Sequence, residues 1–376
     1  MARCGASGFE PTSSPGIMMA NSSSGNGAAT RNGPATLEFE RPLARIERQI
    51  EQLEASQAQT GRDYSQQIRR MRAELVTSLR KTYAKLTAWE TVLVARHPRR
   101  PLSTDYIEML VKDFCELHGD RAFRDDKAVL TGFGRLAGHK VLIVAHRKGK
   151  DTKEKIDCCF GCAHPEGYRK ALLKMQLAAK FGLPVVSLID TPGAYPGVGA
   201  EERGQAQAIA RNLLEMSRLA TPIVAVVIGE GGSGGALGIG VGDRLAMFEH
   251  AYYSVISPEG CAAILWRSGE YVQQAAEALK LTAKDLKRLG LVDEIIREPL
   301  GGAHRDPQQA AANLQRYLNQ TLRNLKRCKL QSLLERRYRR LRELGRFLES
   351  PRATASRSKT VAASEPVTST AGASSK

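Results

Sequence analysis

Twice in this chain an apolar run passes straight into a glycine-rich turn that opens a helix, and that junction limits the fold more than any other feature. The apolar runs are Val129–Phe133, Lys140–Ala145, Pro184–Ile189, Pro222–Ile228, Leu245–Phe248 and Tyr252–Ile256. Between them Pro165–Phe181 and Glu201–Leu219 have helical spacing, with Pro165 suited to a first turn and Gly182 to a C-terminal cap. Strands that are almost continuously apolar are buried on both faces, so the alternation predicts an α/β fold around a largely parallel sheet. Three further helices are expected after Pro258.

Upstream the pattern is purely helical. Leu43, Ile46, Ile50 and Leu53 recur at spacings of three and four, and after Gly61 so do Ile68, Met71, Leu75, Leu79, Tyr83 and Leu86. This reads as a helical hairpin over 37–96, lying on the main domain or on a partner. His97-Pro98-Arg99-Arg100-Pro101 closes it, because prolines this close cannot sit inside a helix. The α/β domain is expected over 97–325, a basic helix over 326–350, and disordered ends at 1–36 and 351–376, where Ser, Gly, Ala and Thr dominate. Residues 1–36 hold only Arg3 and Arg31 as basic groups, a poor composition for a transit peptide, and Met18 and Met19 are alternative starts.

The net charge of +17 invites a nucleic-acid reading, but its location matters more. Residues 321–376 hold 14 Lys/Arg against 4 Glu, so most of the excess lies at the C-terminus. Arg336, Arg337, Arg339, Arg340, Arg342 and Arg346 crowd one short segment, which is expected to give nonspecific polyanion binding or a subunit contact. No run of apolar residues is long enough to cross a membrane. Seven cysteines without regular spacing suit a reducing, cytoplasmic compartment.

Gly229-Glu230-Gly231-Gly232-Ser233-Gly234-Gly235-Ala236 satisfies two well-known patterns at once. From Gly229 it is G-x-G-x-x-G, a dinucleotide fingerprint with Glu249 as the ribose acid, but the helix it opens would be only Gly234 to Val241. From Gly231 it is G-x-S-x-G, a nucleophile elbow with Ser233 as nucleophile, Asp243, Asp285 or Asp293 as the acid and His304 as the base. A third reading needs no reactive side chain: consecutive backbone N–H groups at the turn hold an oxyanion. A second such turn, Asp190-Thr191-Pro192-Gly193-Ala194-Tyr195-Pro196-Gly197, precedes it. Its Asp190-x-x-Gly193 resembles a GTPase switch, but no G-x-x-x-x-G-K-[ST] exists in the chain, which excludes nucleotide hydrolysis of that class.

Cys158-Cys159-x-x-Cys162-x-His164 has the look of a metal site, yet without a second distant pair a reduced, partly buried thiol cluster is the simpler account. Arg147, Lys148, Lys150, Lys153 and Lys155 form a basic loop just upstream, either a solvated face or a contact for an anionic substrate.

The two glycine turns, together with Gly199-Ala200-Glu201-Glu202-Arg203-Gly204, Tyr253–Cys261 and Glu298–Arg305, resemble the alpha subunits of bacterial-type acetyl-CoA carboxylase carboxyltransferases over roughly Leu37 to Leu325. The resemblance implies a crotonase-type fold, a spiral of ββα units, within an α2β2 assembly with a beta subunit. It implies transfer of a carboxyl group from carboxybiotin, carried by a biotin carboxyl carrier protein and loaded by biotin carboxylase, to acetyl-CoA, giving malonyl-CoA. The zinc ribbon of such enzymes is on the beta subunit, so no metal is expected here. The Gly234 and Gly235 amides are the expected donors to the biotin oxyanion, with Ala236 the nearest substitute. Gly193 and Ala194 are expected as a wall of the same pocket and Lys153 as a substrate contact. The released biotin nitrogen can take the acetyl-CoA methyl proton, which removes the need for a side-chain base. The cysteines at 158, 159 and 162 depart from the family's usual sequence.

Overall fold

The computed structural model describes residues 36–345, so the expectations for 1–35 and 346–376 lie outside the described residues. Among those residues, eight strands form one mixed sheet: β1 (Val111–Glu116), β2 (Val129–Leu136), β3 (His139–His146), β4 (Val185–Thr191), β5 (Ile223–Gly232), β6 (Arg244–Phe248), β7 (Tyr252–Ser254) and β8 (Glu294–Ile296). The order is β1-β2-β3-β4-β5-β6-β8, with β7 pairing the far end of β5. From β3 onward all pairings are parallel, as the apolar runs predict. The first three strands are antiparallel, because β2 and β3 are joined by Ala137-Gly138, both with positive φ, a two-residue hairpin turn. The edge strand β1 and three-residue β8 carried no sequence signal strong enough to be anticipated.

The helices are α1 (Arg41–Thr60), α2 (Ser65–Tyr83), α3 (Ala88–Ala95), α4 (Ser103–Leu110), α5 (Thr152–Asp157), α6 (Pro165–Lys180), α7 (Val198–Glu202), α8 (Gln205–Arg218), α9 (Ser233–Leu237), α10 (Pro258–Leu265), α11 (Val272–Leu279), α12 (Ala283–Arg288), α13 (Pro307–Lys326) and α14 (Leu330–Arg342). Among the described residues five helices therefore run from Pro258 onward, not three. The single helix expected over 201–219 is two, because Gly204 adopts φ +80° and breaks it. β5 runs through Gly232, every residue of it buried, and α9 follows at once from Ser233 but ends at Leu237, shorter than the Gly234 to Val241 the sequence suggested.

The hairpin of α1 and α2, with Gly61 in the left-handed conformation at its bend, lies on the main domain of its own chain. Arg305 donates to Glu47 (2.5 Å) and Glu40 (2.9 Å), and the Tyr83 hydroxyl donates to Glu40 (2.8 Å). Amphipathic helices of this kind owe their stability to such docking rather than to propensity.

The basic C-terminal helix departs most from expectation. Arg337 on α14 is 1% exposed. Its guanidinium donates to both oxygens of Asp243 (2.9 and 2.7 Å) and to the carbonyls of Met216, Leu219 and Thr221. These carbonyls end α8 and lead into β5, where helix geometry leaves them short of N–H donors. Arg340 adds contacts to Asp293 and the Leu291 carbonyl. α14 is thus part of the fold, and two of the six arginines read as a free basic face are committed to it. Arg337→Ala strands Asp243 and should cost about 3–5 kcal/mol, whereas exposed Arg336→Ala should change stability by less than about 1 kcal/mol. Equilibrium denaturation of the two variants checks the contrast.

Candidate active site

β4 and β5 lie side by side, and each ends in one of the glycine turns. Thr191 pairs with Gly231 where the register shifts, so the turns emerge together. They then touch backbone to backbone. A Cβ built on Gly232 would lie 2.0 Å from the Pro192 carbonyl oxygen, and one on Gly235 2.4 Å from the Gly193 carbonyl carbon. Gly193 and Ala194 are therefore a wall against α9. Above Gly234 there is room: the nearest heavy atom to a Cβ there is Ile209 Cδ1 at 3.7 Å. Gly234 is half-exposed, Gly235 is buried, and the Ala236 methyl is fully buried in the core.

As first-turn residues of α9, Gly234 and Gly235 have amides with no intrahelical acceptor. With only five residues α9 supplies little dipole, so any anion held here is held by the N–H groups themselves. The Gly193–Tyr195 segment is braced from outside. Gln205 donates to the Ala163 and Tyr195 carbonyls, and His164 stacks on the Tyr195 ring at 4.2 Å.

Beneath the turns lies a buried ion network. Lys148 sits 2.7 Å from Asp190 Oδ1 and donates to Glu230 Oε2. Glu230 also accepts from Arg96 (2.5 Å) and from the Tyr252 hydroxyl (2.7 Å), while its own N–H donates to Asp190 (2.9 Å). Burial alone would raise the Glu230 carboxyl, but the Lys148 and Arg96 charges and their hydrogen bonds hold it down at about 2. Burial opposes the Lys148 charge, yet Asp190 and Glu230 push that ammonium above its ordinary value. His146, wholly buried behind Asp190, is pushed down to about 3 by burial and by Lys148, so it is neutral. Arg96, Lys148, Asp190, Pro192 and Glu230 line a cavity of about 430 Å³, with Arg99, Lys150, Lys155 and Phe160 at its sides. Lys153 is exposed on α5 and does not line it. Of the basic loop, Lys148, Lys150 and Lys155 line the cavity, and Lys148 is the member paired to Asp190 and Glu230 beneath the turns. Its lysine-rich context hid it in the sequence.

The competing motifs come apart. Ser233 does have the strained backbone of a nucleophile elbow, φ +51°, but its proposed partners are engaged elsewhere. Asp243 binds Arg337, Asp285 accepts from Arg288 and from the hydroxyl of Thr282, the N-cap of α12, and Asp293 binds Arg340. His304 stacks on His97 at 3.9 Å, beneath Glu40. Glu249 accepts from the Glu298 amide, and a five-residue α9 is no dinucleotide helix. Burial raises the Cys158 thiol and pushes Cys162 up to about 11, so both are protonated thiols. Cys158, Cys159, Cys162 and His164 do not converge at metal-ligand spacing. Glu40, His97 and His304 do approach one another, but face-stacked imidazoles have parallel lone pairs, and Glu40 is already bound by Arg305.

A family model described as acetyl co-enzyme A carboxylase carboxyltransferase-like matches residues 36–345, which takes in α14. A protein of Rhodopirellula baltica named acetyl-coenzyme A carboxylase carboxyl transferase subunit alpha is 54% identical over 317 residues, 84% of this chain and 99% of that one. Its namesake in Thiobacillus denitrificans is 53% identical over 315 residues, 84% and 98% of the two chains. Among solved structures, transcarboxylase 12S superposes with a TM-score of 0.51 at 22% identity, covering 61% of this chain. This chain spans 42% of that longer one, and the likeness is one of fold, the crotonase type.

Two outcomes follow from the site. Ser233→Ala should leave turnover within about threefold, since losing a true serine nucleophile costs roughly 10⁶-fold; single-turnover kinetics decide it. A carboxyl held at about 2 against an ordinary 4.5 contributes stability that is complete above about pH 4.5 and lost as pH falls toward 2. Melting temperatures across that interval should fall less steeply in Glu230→Gln than in the parent.

Proposed function

We propose how the glycine turns serve catalysis in a chain that belongs to the acetyl co-enzyme A carboxylase carboxyltransferase-like family. Its activity is carboxyl transfer from a biotin-linked carboxyl group to acetyl-CoA, giving malonyl-CoA for fatty-acid synthesis, performed as an alpha subunit beside a beta subunit. The Gly234 and Gly235 amides donate to the ureido oxygen of carboxybiotin and Gly193–Ala194 forms the facing wall, while Ala236, the nearest substitute, sits where the N–H closes the first turn of α9. The observation that carries this reading is a half-exposed Gly234, where even a Cβ would meet nothing nearer than Ile209 Cδ1 at 3.7 Å, beside first-turn amides that lack intrahelical acceptors.

When bound, carboxybiotin supplies the carboxyl group, and its ureido oxygen gathers negative charge as the N–C bond breaks. Two N–H donors fixed by backbone packing meet that charge with no reorganisation, which is where preorganised donors act most strongly. The Ser233 hydroxyl has no step. No side-chain base is required of this chain. The working assembly on this reading is a cytoplasmic α2β2 tetramer, visited by a biotin carboxyl carrier protein that biotin carboxylase loads. No helix among the described residues is long and apolar enough to cross a membrane. Exposed Arg336, Arg339 and Arg342 on α14 are left for weak polyanion contacts.

The test must delete a donor without adding a Cβ, because any Cβ at 235 strikes Gly193. Replacing Gly235 by glycolate turns the amide into an ester and removes only the N–H. The ester enzyme, assembled with its beta subunit, should lose roughly 10²–10³ in kcat. Gly234→Ala, which has room and keeps its donor, should stay near normal. An assembled ester enzyme with unchanged turnover would remove the Gly235 amide from the oxyanion site.

A further inference from the structure

Because the two turns meet backbone to backbone at Gly232–Pro192 and Gly235–Gly193, no side chain lies between them to set their separation. What spans them is charge, placed at the root of each turn. Asp190 precedes the first by one residue of strand, and Glu230 lies within the second. Both are buried, at 4% and 7% exposure. Two carboxylates this close repel unless a cation joins them. Lys148, from the loop after β3, is that cation: its Nζ is 2.7 Å from Asp190 Oδ1 and bonds Glu230 Oε2 as well. Gly229 makes the approach feasible, since a Cβ there would fall 2.6 Å from the same Asp190 oxygen.

We infer that Lys148 is a positioning residue for carboxyl transfer, an ammonium clamp that fixes the two glycine turns against each other and neutralises the carboxylates beneath them. The inference rests on the assignment of the Gly234 and Gly235 amides as oxyanion donors. Loss of the clamp acts twice. Asp190 and Glu230 push apart and carry the turns with them. Uncompensated negative charge is also left beside a site whose task is to accept new negative charge, which weakens every donor there. Both effects fall on the transition state more than on binding of the acyl-CoA, so they show in kcat rather than KM. The fold does not hang on Lys148 alone, because Arg96 and Tyr252 still hold Glu230 from the α3 and β7 side.

The test uses the complex with the beta subunit, assayed as malonyl-CoA-dependent carboxylation of free biotin. Lys148→Met should lower kcat by roughly 10²-fold, with KM for malonyl-CoA within about twofold. Lys148→Met/Glu230→Gln should recover at least tenfold over the single variant, because it removes one of the two facing charges. A purely packing role gives no such recovery. Lys148→Arg, which keeps the charge, should retain at least a tenth of turnover. It also keeps the question open to decision should Lys148→Met fail to assemble, since an assembled Lys148→Arg enzyme with less than a tenth of normal turnover would then overturn the clamp. Near-normal turnover in Lys148→Met, or a double variant no faster than the single, likewise overturns it. The glycolate enzyme separates the two ideas. A harmless ester with a Glu230→Gln rescue rejects the oxyanion assignment and keeps the clamp, while a damaging ester with a fast Lys148→Met rejects the clamp alone.

Discussion

The contact of Pro192–Ala194 with Gly232–Gly235 is the constraint around which the rest is arranged. The second turn can approach the backbone of the first this closely only if it carries no side chain at the touching positions, and that fixes glycine at 232 and 235. It also makes β4 and β5 immediate neighbours in the sheet, with β3 and β6 on either flank. The contact leaves main-chain amides, rather than side chains, as the chemistry on offer. A site made of backbone is insensitive to which side chains surround it, but very sensitive to where the surrounding structure puts the chain.

That sensitivity explains how much buried charge lies around the turns. Arg100 bridges Glu298 through two hydrogen bonds and also reaches the Ile228 carbonyl on β5. Glu298 in turn accepts from the His250 and Ala303 amides. Arg96 links Glu230 to Glu259 on α10. Ion pairs this deep add little net stability over apolar packing. Their directional bonds instead tie α3, β5, β7 and the loop after β8 into one geometry.

Much of this was legible in the sequence. The central strands β2 to β6 and helix α6 follow from apolar runs and caps, because burial on both faces leaves an unmistakable pattern. The hairpin of α1 and α2 follows from its spacing and Gly61. The glycine turns stood out by composition, although nothing in their sequence said that they meet backbone to backbone. What escaped were features set by tertiary partners. β8 is three residues long, and Gly204 looked like one more residue of a helix. Lys148 could not be told from Lys150, Lys153 and Lys155, since what distinguishes it is Asp190 and Glu230, which are distant in the chain. Arg337 was hidden in the same way among five other arginines.

The partners of Arg337 lie far back along the chain, Thr221 preceding it by 116 positions. During synthesis at about 5–20 residues per second, the carbonyls at the end of α8 and the carboxylate of Asp243 wait roughly 6–25 seconds for the guanidinium that completes them. Until then the sheet's central strands can pair, but the corner where α8 turns into β5 stays open to water. A newly made chain cut short anywhere before α14 carries that open corner permanently. Of the described helices the last to be made is thus the one that supplies the donors for a corner built more than ninety residues earlier.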